Sequence, residues 1–216
     1  MIKDDFIYQR CEANGREFKY LYQWQKDLIK HLSKDKKILE VGCGRGSFER
    51  FMPNIFGIEY NKLYVKEADL PNVIIGNAFD LSKFYDKYDI VFSTGMIEHY
   101  ETKEMANLLE EQFKCLKEGG KAVVVVPRVC FEAKINRFEG QNDKLLGRRM
   151  DATSVISLMR NVGFKGIVAS PIGIPFRSNI KLYHNNFSQL FWNCLFYPLK
   201  FKIKGYGNNL LVVGYK

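Results

Sequence analysis

The sequence predicts an α/β fold, a doubly wound sheet of buried, parallel-type strands with helices on its faces. Three observations carry that reading. Short apolar strands alternate with segments of helical periodicity along most of the chain. The run Ala122-Val-Val-Val-Val126 is continuous and β-branched, the pattern of a strand buried on both faces. The first strand runs directly into Gly42, Gly44 and Gly46, a tight strand-to-helix turn.

The elements follow in order. Residues 18–32 place Leu21, Trp24, Leu28, Ile29 and Leu32 at helical spacing before the charged run Lys34-Asp-Lys-Lys37. Strands are expected at 37–41, 55–59, 73–75 and 89–93. Residues 101–116 put Met105, Leu108, Leu109, Phe113 and Leu116 on one helical face, and Gly119-Gly120 is the expected stop. The strand 122–126 follows. A helix over 153–161 is closed by Gly163, and late strands are expected at 167–169 and 210–215. One domain is expected over 1–216. The least regular stretch, 171–207, reads as an insertion or flap that covers a substrate.

Composition narrows the class. The apolar fraction of 46% suits a soluble globular protein. The N-terminus carries charges where a signal peptide would be apolar, so a cytoplasmic location is expected. The five cysteines are scattered without a C-x-x-C pair, which argues against a disulfide framework and a structural zinc site. The three histidines add no metal-ligand spacing, and no metal is expected. The formal net charge is +9, and it is unevenly placed: residues 152–216 contain no Asp or Glu. That asymmetry suits an anionic partner or surface, and equally a solvated basic face.

The chemistry begins at Ile38-Leu-Glu-Val-Gly-Cys-Gly-Arg-Gly-Ser-Phe48. Glycines spaced G-x-G-x-G let the backbone turn with positive φ and admit a ligand where a Cβ would stand. The helix expected next offers its N-terminal amides. A dinucleotide fingerprint would need its last glycine at Ser47, and no G-x-x-x-x-G-K-[ST] loop is present. Glu40, just before the turn, can engage a ligand's ammonium group directly or through water. Glu59 ends the second strand, where an acid can accept hydrogen bonds from both hydroxyls of a ribose. Together they point to a nucleoside-containing ligand.

This segment resembles the S-adenosylmethionine (AdoMet) motif of class I methyltransferases, and the resemblance continues in order. Gly76-Asn-Ala-Phe-Asp-Leu81 looks like the family's adenine-contacting segment, with Asn77 where an Asp is usual. Residues 88–100, ending Ile-Glu-His-Tyr, look like the fourth-strand motif of the small-molecule, type 11-like branch. Residues 116–127 look like the fifth-strand motif, and Gly163-Phe164 like the late turn before strand six. The resemblance covers roughly residues 38–168. It implies a Rossmann-like, three-layer α/β/α fold with a seven-stranded sheet whose last strand is antiparallel. It implies AdoMet as cofactor, lying over the carboxyl ends of strands one, two and four. Gly42, Gly44 and Gly46 would border its methionine portion, Glu59 its ribose, and Asn77, Ala78 and Phe79 its adenine. Ser93, Thr94 and Gly95 would form the floor beneath the sulfonium.

Methyl transfer from a sulfonium is an in-line displacement that relies on alignment. Phenols, alcohols and protonated amines also need a proton removed, and His99 is the candidate base. The competing reading is that His99 packs the start of the helix after it; Glu98 is open to the same two readings. Several acceptors are disfavoured. Ser93-Thr-Gly-Met96 stands where amino-group methylases of adenine, cytosine or glutamine carry Asn/Asp-Pro-Pro-Tyr/Phe, and no Pro-Cys pair suggests cytosine C5 chemistry.

Residues 187–204 mix large apolar and aromatic residues with Lys200, Lys202 and Lys204. They suit a core-packed helix with a basic exit, a membrane-interface or lipid-substrate flap, or a single-strand nucleic-acid surface. The expected function is therefore methyl transfer to the O or N of a small-molecule or lipid-like acceptor, in a monomer or homodimer with peripheral membrane contact through 187–204. RNA methylation and a non-catalytic AdoMet-binding regulator are the alternatives.

Overall fold

The computed structural model describes residues 23–128, 149–172 and 209–216. The expected flap at 171–207 and the stretch 187–204 fall almost wholly outside these residues, as does the first part of the expected N-terminal helix.

Eleven elements make up the described chain in the order α1 (Gln23–Ile29), β1 (Ile38–Val41), β2 (Ile55–Glu59), α2 (Lys62–Ala68), β3 (Val73–Ile75), β4 (Tyr88–Thr94), α3 (Thr102–Cys115), β5 (Leu116–Pro127), α4 (Ala152–Val162), β6 (Lys165–Ile172) and β7 (Asn209–Tyr215). Short 3₁₀ turns lie at Ser82–Phe84 and Ile97–His99. The seven strands form one sheet, ordered β3-β2-β1-β4-β5-β7-β6. The first five are parallel, and β7 runs antiparallel to both neighbours. The expected architecture is thus present, and the order reverses direction at β1, whose neighbours are β2 and β4. An open α/β sheet has its ligand crevice at such a point, outside the carboxyl ends of the strands.

Alternation across β1 divides the core. Leu39 and Val41 join the larger apolar cluster with α3 and α4, including Leu108, Leu109, Val155 and Met159. Ile38 faces the other way, onto Leu28 of α1, Phe48 and Met52. Glu40 shares the Ile38 side by the two-residue period of a strand, and it is buried.

Local chemistry explains the helix ends. Asn61 caps α2, its side-chain oxygen accepting from the Leu63 amide at 2.9 Å. A reciprocal Glu101–Glu104 capping box opens α3. Asp151 accepts from the Ser154 amide at 2.9 Å at the start of α4, and Gly163 (φ 114°) ends it.

Two elements differ from expectation. The helix after the glycine turn is instead a run of turns over residues 44–51. Only scattered helical bonds form there, such as Met52 N–H to the Phe48 carbonyl at 2.9 Å. Helix α3 stops at Cys115, not at the glycine pair. Leu116 is fully buried and already pairs with Tyr88, while Gly119 (φ 75°) lies inside an irregular start of β5. Gly120 is pressed against backbone, where a Cβ would lie 2.9 Å from the Lys117 carbonyl.

Candidate functional site

The turn after β1 hangs from β2. The Gly42 and Cys43 amides both donate to the Ile58 carbonyl, at 2.8 and 3.1 Å. Gly42, Gly44 and Gly46 all have positive φ (77°, 57° and 70°), which side chains disfavour. Their surroundings differ. A Cβ on Gly46 would strike Leu70 at 2.8 Å and Val73 at 3.1 Å, so Gly46 serves close packing. A Cβ on Gly44 would meet nothing within 4 Å, so Gly44 borders open space.

Glu59, half-buried at the end of β2, is fixed by the turn itself. Its Oε2 accepts from the Gly44 amide at 2.9 Å and its Oε1 from the Asn61 amide at 2.8 Å. A carboxylate offers about four lone-pair positions, so about two remain for a ligand. Asn77 is exposed, and its Oδ1 accepts from the Phe79 amide at 3.0 Å, leaving its amide NH₂ as the donor toward a partner. Ala78 and Phe79 are half-buried, and the Phe79 ring meets Tyr100 edge-on at 5.3 Å.

The end of β4 splits its residues between the two faces. Ser93 is buried and turns to Gln112 of α3, Oγ to Oε1 at 3.4 Å, away from Glu40. Thr94 lies on the Glu40 side, where its hydroxyl favours the ionised form of that carboxyl. Gly95 (φ 63°) is exposed, with its amide donating to the Val125 carbonyl at 2.9 Å. His99 is half-buried on the following 3₁₀ turn.

Two buried acids stand out that sequence reasoning passed over or underweighted. Glu98 is 2% exposed and its Oε2 has no hydrogen-bond partner among the described residues. Burial pushes its carboxyl up to about 8, only partly opposed by its own amide. Glu49 is 3% exposed, and neither of its carboxyl oxygens has a partner of good geometry. Burial raises it to about 7. Glu40 is also raised well above the ordinary carboxylate range, first by burial, then by the nearby Glu49 carboxyl, with Glu59 adding to the effect and Thr94 opposing it. One sequence signal could have found Glu49. Gly57 interrupts a five-residue apolar strand, and a glycine there marks a close approach. A Cβ at Gly57 would lie 2.5 Å from Glu49 Oε1 and 2.7 Å from Cys43 Sγ.

The arrangement is a crevice at the carboxyl ends of β1, β2 and β4. It offers glycine backbone, a pre-oriented carboxylate and buried acids that no cation among the described residues compensates, a set suited to a cationic nucleoside.

Comparison with known proteins agrees. A family model described as a methyltransferase domain matches residues 14–169. The fold is similar to a SAM-dependent methyltransferase of Thermotoga maritima, titled a possible histamine N-methyltransferase. The TM-score there is 0.73 at 17% identity, over 98% of this chain and 99% of that one. It is similar also to a SAM-dependent methyltransferase of Archaeoglobus fulgidus, with TM-score 0.63 and 17% identity over 88% and 90% of the two chains. A third likeness is phosphoethanolamine N-methyltransferase 2 of Haemonchus contortus, solved with S-adenosyl-L-methionine, with TM-score 0.60 and 14% identity over 90% and 52%. No curated protein matches the chain. The chain belongs to the methyltransferase-domain family, and its activity is S-adenosylmethionine-dependent methyl transfer.

Proposed function

We propose that this chain methylates an O or N atom of a small-molecule or lipid-like acceptor, with AdoMet held over the carboxyl ends of β1, β2 and β4. The observation that carries the cofactor placement is Glu59, locked by two backbone amides beside the open space at Gly44. The orphaned, buried Glu40 Oε2 suits a cationic group at the same crevice. When bound, AdoMet supplies an activated methyl group on a sulfonium.

The chain's own residues do the rest. Gly44 keeps a side chain away from the methionine portion, Gly42 borders it while making room for the Met96 side chain, and Gly46 holds the turn against α2 and β3. Glu59 accepts from the ribose hydroxyls, and Glu40 answers the ammonium. Asn77 offers its amide to the adenine edge, with Ala78 and Phe79 against the ring. Thr94 and Gly95 form the floor by side chain and backbone. Ser93 contributes only through its backbone, because its hydroxyl is turned to Gln112. His99 takes the acceptor's proton where the acceptor carries one.

The acid-free sequence of 152–216 favours an anionic or lipid-like acceptor. The test is transfer of labelled methyl from AdoMet into a cell extract, partitioned into lipid, small-molecule, protein and RNA fractions. Label in the lipid or small-molecule fraction, reduced in His99→Ala, is the expected result. Label confined to RNA or protein overturns the acceptor class, and label in no fraction with AdoMet bound favours the regulatory alternative.

A further inference from the structure

We infer that Glu49 is a second acid of the cofactor's ammonium site: it shares a proton with Glu40 in the space that Gly57 keeps open, and a cation arriving at Glu40 displaces a proton from the pair. The inference rests on the cofactor placement proposed above and extends it to a residue outside the family motif.

The geometry comes from three elements. Glu40 projects from the middle of the buried strand β1, where its register partners are Gly57 on β2 and Phe92 on β4. Glu49 reaches the same place from the run of turns above. Gly57 has ordinary extended backbone and no need of glycine's positive φ. What it supplies is room, since any Cβ there would overlap the Glu49 carboxyl and the Cys43 side chain packed beside it. A mid-strand glycine weakens a strand, so the space it leaves for a buried acid has a purpose other than stability.

Two carboxyls can hydrogen-bond only when at least one keeps its proton. Among the described residues, the groups that face the pair do not supply a compensating charge. From β2 comes the Glu59 carboxylate, from β4 the Thr94 hydroxyl, and from the turn the Cys43 thiol, itself pushed up by burial and by Glu49, Glu40 and Glu59. The arginines of the same turn have other partners among the described residues: Arg45 pairs with Glu67, and Arg50 donates to the Ala68 carbonyl. The cheapest state of the free protein is therefore a pair that retains at least one proton near neutral pH.

An ammonium group at Glu40 changes this. Its positive charge takes over the compensation that the shared proton supplied, so both carboxyls ionise and that proton passes to solvent. The balance is one cation taken up and up to one proton released, with no covalent bond made or broken. By linkage, AdoMet affinity then rises with pH, by up to about tenfold per unit while the free pair is still fully protonated at the exchanging site.

The experiment is titration calorimetry of AdoMet into the whole protein at pH 7, in phosphate and in Tris, whose different ionisation heats count the protons released. The wild type is expected to release a substantial fraction of one proton. Glu49→Gln leaves Glu40 buried but removes the acid that shares its proton, and is expected to bind with a clearly smaller release than the wild type. Gly57→Ala, which drives the Glu49 carboxyl out, is expected to reduce release in the same way. Binding by the wild type with no proton release overturns this inference and leaves the cofactor placement standing. Equal release from wild type and Glu49→Gln overturns it also. No binding at any pH overturns the cofactor placement and this inference together. Wild-type binding without proton release overturns the inference even if neither variant folds.

Discussion

Replacing Glu98 with glutamine should make the protein more stable as the pH rises, relative to wild type. The unfolded carboxyl titrates near its reference value of 4.5, whereas the folded one is raised to about 8 by burial. Between those values the folded state binds more protons than the unfolded state, so stability is lost as pH rises. At pH 5 the loss from this group is about 1 kcal/mol, at pH 7 about 3 kcal/mol, and it levels off near 5 kcal/mol above the folded pKa. Glutamine has nearly the same shape and does not titrate. Its extra donors carry a cost that is the same at every pH and cancels in the comparison. Other titrating groups, including His31, Glu40 and Glu49, are common to both proteins. Urea denaturation of both proteins at pH 5, 6, 7 and 8 should therefore show the free-energy gap moving in the variant's favour by about 3 kcal/mol between the extremes. A gap constant to within about 0.5 kcal/mol, the scale of extrapolation error, would refute the reasoning. Glu98 would then have water or a partner in solution that keeps it ionised.

Gly46→Ala forces a side chain into positive φ and against Leu70 and Val73, and should cost about 2–4 kcal/mol in thermal or urea unfolding. Gly44→Ala meets open space, so it should cost only about 1 kcal/mol in stability while weakening AdoMet binding in calorimetry. The reverse ranking would place the cofactor elsewhere. Glu59→Gln replaces the charged acceptor of the ribose hydroxyls and should raise the AdoMet Kd by about tenfold to a hundredfold, again by calorimetry. An unchanged Kd would count against Glu59 as a ribose ligand.

Much of the sheet was legible because its strands are buried by residue type alone. Ala122–Val126 and Ile38–Val41 have no alternative that would leave their apolar faces dry. The end of α3 was not legible, since the glycine pair is the stronger local stop signal. Pairing of Leu116 with Tyr88 overrode it, a contact between residues far apart in sequence. The turns after Gly46 were missed for a related reason. Phe48 and Met52 sit at helical spacing, yet their burial against Leu28 is satisfied by turns. Within the site, the glycine turn and Glu59 declare themselves by spacing. Glu49 does not, because Ser-Phe-Glu-Arg-Phe reads as an exposed acid between two aromatic residues. Only its neighbour across the sheet, Gly57, reveals where the carboxyl goes.

The buried acids divide into two kinds, and the difference ties the site to the cofactor. Glu111, in the middle of α3, is also buried. Burial works against its ionisation, but the Leu81 amide at 2.8 Å, the Tyr85 hydroxyl at 2.7 Å and Lys114 at 3.2 Å outweigh it and hold its carboxyl below the ordinary value. That is how this fold satisfies an acid whose role is structural. Glu40, Glu49 and Glu98 instead have oxygens without a partner among the described residues. All three lie at β1 and β4, adjacent parallel strands, or on the turns that follow them. Buried polar groups are normally paired, so unpaired acids gathered at one sheet end indicate a ligand that completes them. A cationic cofactor in the proposed place would do so, and the benefit would grow as the acids ionise. The rise in Tm on adding saturating AdoMet should accordingly be larger at pH 8 than at pH 6, followed by scanning calorimetry at a fixed excess of cofactor. An equal or smaller rise at pH 8 would mean that these acids are neutralised without the cofactor's charge.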